Sequence, residues 1–245
     1  MESAEYENIY KNEATHFYYV GIHSIVISLI KKYSRKKNPK ILDAGCGAGL
    51  LAKKMSALGR VYGIDLSKEA IKYAKKRNIN VKIGSVTKIP YPNNYFDIVT
   101  CIDVINLAEV DNEQKALSEI FRVLKPNGIL IMRASAIPWL ASEHDKWVHI
   151  KKRYFISEVK EMLAQTKFKI EKLSYINFFL FLPALIKHIL WQISGRNNSQ
   201  TAVTKVNTLI NKIMIALTRI EQFFLNYTNL FIGNGIIAVA RKLKS

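Results

Sequence analysis

The sequence predicts a single α/β domain with a parallel β-sheet that is covered by helices on both faces. Between residues 40 and 132, short apolar segments typical of buried strands alternate with longer segments that carry apolar residues at helical spacing. The chain has 245 residues, of which 49% are hydrophobic, so it can bury a complete core. After residue 175 the alternation stops, and residues 176–232 are predicted to form a helical insertion or lid. We therefore expect a core over residues 1–175, completed by a last strand and a basic tail in residues 233–245.

The first predicted element is an amphipathic helix over residues 16–33, where apolar side chains recur at roughly helical spacing. Gly59 closes a later helix, and Pro126–Asn127–Gly128 terminates another. The helices predicted between the strands cover residues 50–58, 67–77, 116–124 and 157–165. The predicted strands are residues 41–43, 61–64, 81–83, 95–102, 129–132, 168–175 and 236–240. Ligands of such sheets bind beyond the carboxyl ends of the strands.

The predicted insertion is strongly apolar. Residues 176–193 contain few polar side chains, and apolar residues recur at helical spacing from Val203 to Tyr227. Pro183 and Lys187 interrupt the first stretch, whereas a transmembrane span needs about 20 nearly uncharged residues. Two arrangements are open: the helices pack against the sheet edge and each other, or they form an interfacial element. Gly233–Asn234–Gly235 predicts a hairpin turn into the last strand.

The charge balance favours anionic partners. The chain has 37 Lys and Arg against 19 Asp and Glu, a net charge of +18 that suits phospholipid headgroups, nucleic acid or phosphorylated metabolites. Cys46 and Cys101 form neither a disulfide framework nor a metal-ligand spacing, which predicts no metal site. The N-terminus lacks a basic segment followed by an apolar run, so no secretory signal is predicted and the expected location is cytoplasmic.

The strongest signal for a ligand is the glycine-rich segment 41–49, which follows the first predicted strand. Glycines let a ligand approach the backbone closely, and the next helix offers unpaired N–H groups at its N-terminus. A dinucleotide site competes with this interpretation, because Asp65 follows at the distance expected for a ribose-binding carboxylate. The G-x-G-x-G spacing counts against it. So does Asp43, whose charge would repel a pyrophosphate but could orient groups around a cationic sulfonium.

Four ordered blocks resemble the class I S-adenosylmethionine (SAM)-dependent methyltransferases of the type 11 group. They are residues 41–49, 63–67, 89–99 and 119–128, and they fall in the first two thirds of the chain. The resemblance implies SAM as cofactor and a Rossmann-like sheet of seven strands, mostly parallel with the last strand antiparallel.

The same resemblance implies which residues bind SAM. The glycine loop would wrap the methionine end, Asp65 would hold the ribose hydroxyls and Leu66 would lie against the adenine. Ser85 departs from the family pattern, which usually has an acidic residue there. The implied cofactor-binding residues are Asp43, Ala44, Gly45, Cys46, Gly47, Gly49, Asp65, Leu66, Ser85, Val86, Cys101 and Ile102.

The acceptor end of the site is expected near residues 144–154, which resemble a His–x–x–Arg–Arg–Tyr–Thr segment of many relatives. His149 is the candidate catalytic residue, as a general base or as a group that orients the acceptor. The alternative is that His149 only forms a hydrogen bond within its loop. The Glu–His pair that relatives often carry after the fourth strand is absent, since Asn106–Leu107 stands there.

The sequence therefore predicts a SAM-dependent methyltransferase that acts on a small-molecule or lipid-linked acceptor. Two alternatives remain, a nucleic-acid methyltransferase and a non-catalytic SAM-binding module. The nucleic-acid alternative is not favoured, because no Asn–Pro–Pro–Tyr or Asp–Pro–Pro–Tyr motif for a flipped base is present. A reversible contact between the insertion and an anionic membrane surface is also expected, with peripheral location. It depends on apolar anchors and basic residues, which are Phe178, Phe179, Phe181, Leu182, Leu185, Ile186, Trp191, Lys187, Arg196, Lys205, Lys212 and Arg219.

Overall fold

The computed structural model, which describes residues 3–194 and 206–244, contains the seven-stranded mixed sheet that the sequence predicts. The strands are β1 (Lys40–Ala44), β2 (Arg60–Asp65), β3 (Asn80–Ile83), β4 (Phe96–Ile102), β5 (Leu124–Ser135), β6 (Phe168–Ile176) and β7 (Gly235–Lys242). Their spatial order is β3-β2-β1-β4-β5-β7-β6. Strand β7 is antiparallel to both of its neighbours, and the strands from β1 to β5 pair in parallel. The predicted Rossmann-like fold class is confirmed.

Helices flank the sheet and also cover its carboxyl edge. They are α1 (Ser3–Asn12), α2 (Phe17–Tyr33), α3 (Leu50–Met55), α4 (Lys68–Lys76), α5 (Glu113–Val123), α6 (Glu143–Trp147), α7 (Ile156–Gln165), α8 (Phe178–Ser194) and α9 (Thr208–Leu225). A short 3-10 turn covers Pro138–Leu140. The sequence analysis did not predict α1, which packs its Tyr6 and Ile9 against Tyr73 of α4. That helix depends on a tertiary contact.

Two hydrophobic cores form because the strands bury side chains on both faces. On one face, Leu42 and Val99 of the sheet pack with Leu117 of α5 and Leu163 of α7. On the other, residues of α2, α3 and α4 cover strand residues such as Ile98. A parallel sheet buried on both faces leaves its carboxyl edge as the place where loops can form a ligand site.

Helices α8 and α9 lie between β6 and β7 in the chain, although these two strands are neighbours in the sheet. The hairpin predicted at Gly233–Asn234–Gly235 is wrong, because the segment before β7 is the C-terminal end of α9 and its connection. In that connection, Leu230 forms an isolated antiparallel β-bridge with Tyr175. Among the described residues, no helix is both long and apolar enough to cross a membrane.

Candidate functional site

A cavity of about 800 Å³ lies at the carboxyl edge of the sheet. The glycine loop and the end of β2 line one part of it, and residues 148–150 line another. Helices α1 and α2 and the first half of α8 also contribute side chains. The cavity therefore lies where parallel α/β sheets bind their ligands.

The glycine loop adopts a backbone that favours glycine. Gly45, Gly47 and Gly49 have φ angles of 84°, 52° and 84°, all in the left-handed region. A Cβ on Gly45 would collide with Val104, whereas a Cβ on Gly47 would have no atom within 4 Å. The Gly45 and Cys46 N–H groups donate to the Ile64 carbonyl at 2.8 and 2.9 Å, which ties the loop to β2. The loop thus offers its backbone to the cavity.

Asp65 ends β2 and braces this loop. Its Oδ2 accepts a hydrogen bond from Gly47 N, and its Oδ1 accepts one from Ser67 N, both at 2.9 Å. Burial raises the pKa of Asp65, although these two hydrogen bonds act in the opposite direction. A carboxylate oxygen can accept more than one hydrogen bond, so Asp65 can also receive two vicinal hydroxyls.

Most of the predicted cofactor residues line the cavity, namely Asp43, Gly45, Cys46, Gly47, Asp65, Leu66, Val86 and Ile102. Four do not, namely Ala44, Gly49, Ser85 and Cys101. Ala44 and Cys101 point into the core, and Gly49 lies against Ala74 of α4. The Ser85 hydroxyl shares a hydrogen bond with Thr87 Oγ1 at 2.8 Å and accepts one from Thr87 N. Contact of these four residues with SAM therefore stays a prediction.

Asp43 is buried beneath the glycine loop. Thr100 Oγ1 donates to its Oδ1 at 2.8 Å. Burial raises the pKa of Asp43 to about 7, and the hydrogen bond from Thr100 opposes that rise. A positively charged group placed beside it would favour the ionised carboxylate. The neighbouring Cys46 and Cys101 are free thiols whose pKa values are raised by burial, so neither is a reactive thiolate.

His149 lines the cavity and is paired with Glu109, a residue that the sequence analysis did not select. The His149 Nδ1 lies 2.6 Å from Glu109 Oε1. Two backbone hydrogen bonds hold the segment of His149 beside residues 106–108. Ala108 N donates to the His149 carbonyl, and Lys151 N donates to the Asn106 carbonyl. Burial raises the pKa of Glu109, but hydrogen bonds from its own backbone N–H and from His149 outweigh that effect and hold the pKa below its usual value. A carboxylate on Nδ1 leaves Nε2 as the second hydrogen-bonding atom of the imidazole.

Side chains at the ends of β4 and β5 form a polar floor of the cavity, of which the sequence analysis did not select Arg133. Arg133 forms a buried ion pair with Asp103, and the Tyr18 hydroxyl donates to Asp103 Oδ2 at 3.1 Å. Burial raises the pKa of Tyr18. Asn106 Oδ1 and Arg133 Nε are buried atoms with no hydrogen-bond partner among the described residues. No local spacing links Tyr18, Asp103 and Arg133, because they come from three separate segments.

Residues 42–132 match the family of methyltransferase domains. That stretch contains the glycine loop and Asp65, the two features whose geometry carries the cofactor end of the cavity. This stretch is a methyltransferase domain of the class I SAM-dependent type. The match confirms the resemblance predicted from the four sequence blocks, and SAM is the cofactor of these methyltransferases.

The donor set of the cavity fits this cofactor. The Asp65 carboxylate suits the ribose hydroxyls, and the open backbone at Gly47 suits the amino-acid group. The apolar side chains of Leu66 and Val86 suit the adenine.

Individual methyltransferases are similar to the chain in sequence. It is 33% identical over 122 residues to a demethylmenaquinone methyltransferase of Geobacillus sp., covering 45% of this chain and 51% of that enzyme. It is 28% identical over 173 residues to a ubiquinone biosynthesis O-methyltransferase of Rickettsia canadensis, covering 63% and 72%. The chain spans about half the length of the curated relatives it matches, with shares from 43% to 72%.

The fold agrees with the crystal structure of a phosphoethanolamine N-methyltransferase of Haemonchus contortus, at a TM-score of 0.60 and 17% identity. This similarity covers 90% of the chain and 52% of that protein.

The segment 144–154, whose resemblance to relatives suggested an acceptor site, has a mainly structural role outside His149. Arg153 makes a two-pronged ion pair with the buried Asp145, at 2.5 and 2.8 Å. The Tyr154 hydroxyl donates to Glu113 at 3.1 Å, and Tyr154 N donates to the Ser135 carbonyl. These contacts fix the loop that carries His149.

The N-terminal helices close the cofactor end of the cavity. Tyr6 of α1 lies beside Ser67 and Asp65, and burial raises its pKa to about 12. Glu13 pairs with Arg77 at 2.7 Å, which ties the end of α1 to the end of α4. His23 of α2 is buried near Lys54, and burial lowers its pKa to about 3. His23 is therefore a neutral packing residue, and His149 is the cavity histidine placed beside a carboxylate.

Proposed function

We propose that the chain transfers the methyl group of SAM to a small-molecule or lipid-linked acceptor. One observation carries the proposal. The glycine loop, Asp65 and the His149–Glu109 pair all line one cavity. SAM supplies a methyl carbon activated by its sulfonium, so the protein has to align an acceptor with that carbon and exclude water.

The residues of the cavity divide these tasks. Asp65 accepts hydrogen bonds from the ribose hydroxyls, while the glycine loop presents its backbone to the amino-acid part. His149 accepts the proton of an acceptor hydroxyl or acidic carbon. Glu109 orients the imidazole and stabilises its protonated form.

The proposed acceptor is apolar, because much of the cavity lining is apolar. The apolar lining from α2 and α8 includes Phe17, Ile22, Leu180, Pro183 and Ala184, and that from the loops includes Val148, Ile150 and Val206. The relatives named as demethylmenaquinone and ubiquinone methyltransferases support a quinone-like acceptor. Molecules of this kind partition into membranes, so we place the reaction at a membrane surface.

Isothermal titration calorimetry with SAM tests the cofactor half of this proposal. We expect SAM and S-adenosylhomocysteine to bind and NAD to give no heat of binding. Transfer of a labelled methyl group to a short-chain demethylated naphthohydroquinone tests the acceptor half. Binding of NAD without SAM would overturn the proposal. Binding of SAM without transfer to hydroquinone, catechol or lipid-extract acceptors would instead identify a non-catalytic SAM-binding module.

A further inference from the structure

Helix α9 contacts the rest of the protein through its polar side. Asn211 Oδ1 accepts a hydrogen bond from Phe17 N, and Asn211 Nδ2 donates to the Thr15 carbonyl, both at 2.9 Å. Further along the helix, Gln222 accepts from Ser24, and Asn226 accepts from Ser28 at 3.1 Å. This row of hydrogen bonds binds α9 along the length of α2.

Close packing and a buried carboxylate fix the same orientation. Thr218 lies against Gly21, where a Cβ would come within 2.9 Å of its side chain. Glu221 is buried and accepts hydrogen bonds from Asn177 N at 2.5 Å and Phe178 N at 2.9 Å, at the start of α8. Because residues 211, 218, 222 and 226 share one side of a helix, the opposite side faces away from the protein.

That outward side is apolar, the reverse of an ordinary surface helix. Its large side chains are each between 46% and 79% exposed, namely Leu209, Ile213, Ile220, Phe223, Phe224 and Tyr227. These six residues form the apolar face of α9 and its C-terminal end. Contiguous exposed apolar surface of this kind marks an interaction site.

The charges around the apolar face are basic. Lys212 and Arg219 are exposed on α9, one turn from the apolar residues. The acidic residue of α9, Glu221, is buried and occupied in capping α8. At the other end, Lys32 donates to the Asn226 carbonyl, which places the exposed basic run of residues 31–37 beside the end of α9.

We infer that the apolar face of α9 docks on the surface of an anionic lipid bilayer. The inference rests on the proposed function, since it names the surface where an apolar acceptor would be met. Apolar side chains enter the interface while flanking basic groups attract anionic headgroups, and the two contributions add. A second copy of the chain is a poorer occupant, because two molecules of +18 charge would bring basic flanks together.

Residues next to the docking face in the chain line the cavity. They are Val206, just before α9, and Leu180, Pro183 and Ala184 of α8. Leu182 and Ile186 of α8 are exposed. Helix α8 thus contributes both to the cavity wall and to the exposed apolar surface.

The anchors differ from those expected from the sequence. Phe181 and Leu185 pack against the core, and Phe178 lies against Phe231 at 5.9 Å between ring centroids. Phe181 and Leu185 face inward because α8 also forms a wall of the cavity, whereas Leu182 and Ile186 are exposed as expected. Arg196 and Lys205 lie outside the described residues, as do the side chains of Lys187 and Trp191.

Vesicle flotation of the full chain tests the inference without any need for turnover. The vesicles contain phosphatidylcholine mixed with phosphatidylglycerol, with phosphatidylcholine alone for comparison. We expect binding to the anionic vesicles that weakens with salt. The double variant Ile213→Gln with Phe223→Gln should bind at least about tenfold less, because two anchors are lost. The matched control is Ile83→Gln with Leu243→Gln, which changes comparably exposed apolar residues elsewhere and should bind as wild type.

A second pair of variants tests the charges. Lys212→Gln with Arg219→Gln should weaken binding to anionic vesicles by about fivefold for each charge. Lys88→Gln with Lys160→Gln makes the same change in net charge at exposed positions elsewhere and should have little effect.

Three results would overturn the inference: wild-type protein that does not float with anionic vesicles at low salt, an α9 double variant that binds as wild type, or light scattering showing that the apolar face mediates a dimer instead. SAM binding by calorimetry is read separately. Wild-type protein that binds SAM but not anionic vesicles refutes the docking surface alone, and wild-type protein that does not bind SAM refutes the proposed function.

Discussion

At the residue scale, Asp65 combines a structural and a proposed binding role in one carboxylate. Its two oxygens each accept a backbone N–H, from the glycine loop and from the residue that caps α4. The carboxylate is thereby held in one orientation facing the cavity. Preorganised charged acceptors bind hydroxyls more strongly than mobile ones, because less conformational entropy is lost.

Asp65→Ala should weaken SAM binding by about 1.5 to 3 kcal/mol, because a hydrogen-bonding charged group is removed. Calorimetry measures the change in Kd. Glu69→Ala is the control, since this carboxylate lies four residues after Asp65, in the first turn of α4, and does not line the cavity. Unchanged SAM affinity in the Asp65 variant would place the ribose elsewhere.

The His149–Glu109 pair makes a different prediction, because it lies at the proposed acceptor end. His149→Ala should leave the Kd for SAM nearly unchanged while lowering methyl transfer to the short-chain demethylated naphthohydroquinone by about 100-fold or more, the usual contribution of a general base. Glu109→Gln should lower the rate less and shift its pH profile, because the neutral amide stabilises the protonated imidazole less than a carboxylate does.

A kcat for His149→Ala equal to that of wild type would remove this residue from the mechanism. Glu161→Gln, an exposed carboxylate on α7, serves as the control for the Glu109 variant and should not alter the pH profile.

At the element scale, Glu221 connects the two helices that follow β6. Its carboxylate accepts the first N–H groups of α8, which have no partners within that helix. Burial raises the pKa of Glu221, while the backbone hydrogen bonds oppose the rise. The position of α8 over the cavity thus depends on a residue of α9.

Glu221→Ala should lower the free energy of unfolding by about 1 to 3 kcal/mol, because buried N–H groups lose their acceptor. Urea denaturation measures this difference, and hydrogen exchange of residues 177–180 should become faster. Glu221→Gln, which keeps one accepting oxygen, should show a smaller loss. The exposed Glu161→Ala should change stability by no more than about 0.5 kcal/mol. Equal stability of Glu221→Ala and wild type would show that α8 does not need this cap.

At the scale of the whole molecule, the cavity is assembled from both ends of the chain. The sheet supplies the glycine loop and Asp65, the N-terminal helices supply Tyr6 and Tyr18, and α8 supplies Leu180. Helix α9 holds α2 and α8 together through its polar side. The same arrangement turns its apolar side outward, so completion of the cavity and exposure of the proposed docking face have one structural cause.

The sequence by itself determined the alternation of strands and helices, the glycine loop, Asp65 and the methyltransferase family. These features depend on neighbouring residues, because periodicity, turn residues and short motifs act within a few positions of the chain. The sequence also singled out the loop 144–154, whose role at the acceptor end stays a prediction, but it did not indicate the partner of His149. Nothing in the spacing connects His149 to a glutamate 40 residues earlier.

Only the tertiary structure decided the polar floor of the cavity and the direction in which α9 faces. Tyr18 and Asp103 are 85 residues apart, and Ser24 and Gln222 are 198 apart, so their pairing depends on how the whole chain folds. An apolar stripe on a helix ordinarily predicts the buried side. In α9 the polar side is buried instead, because α2 offers hydroxyl, backbone and glycine partners that satisfy it.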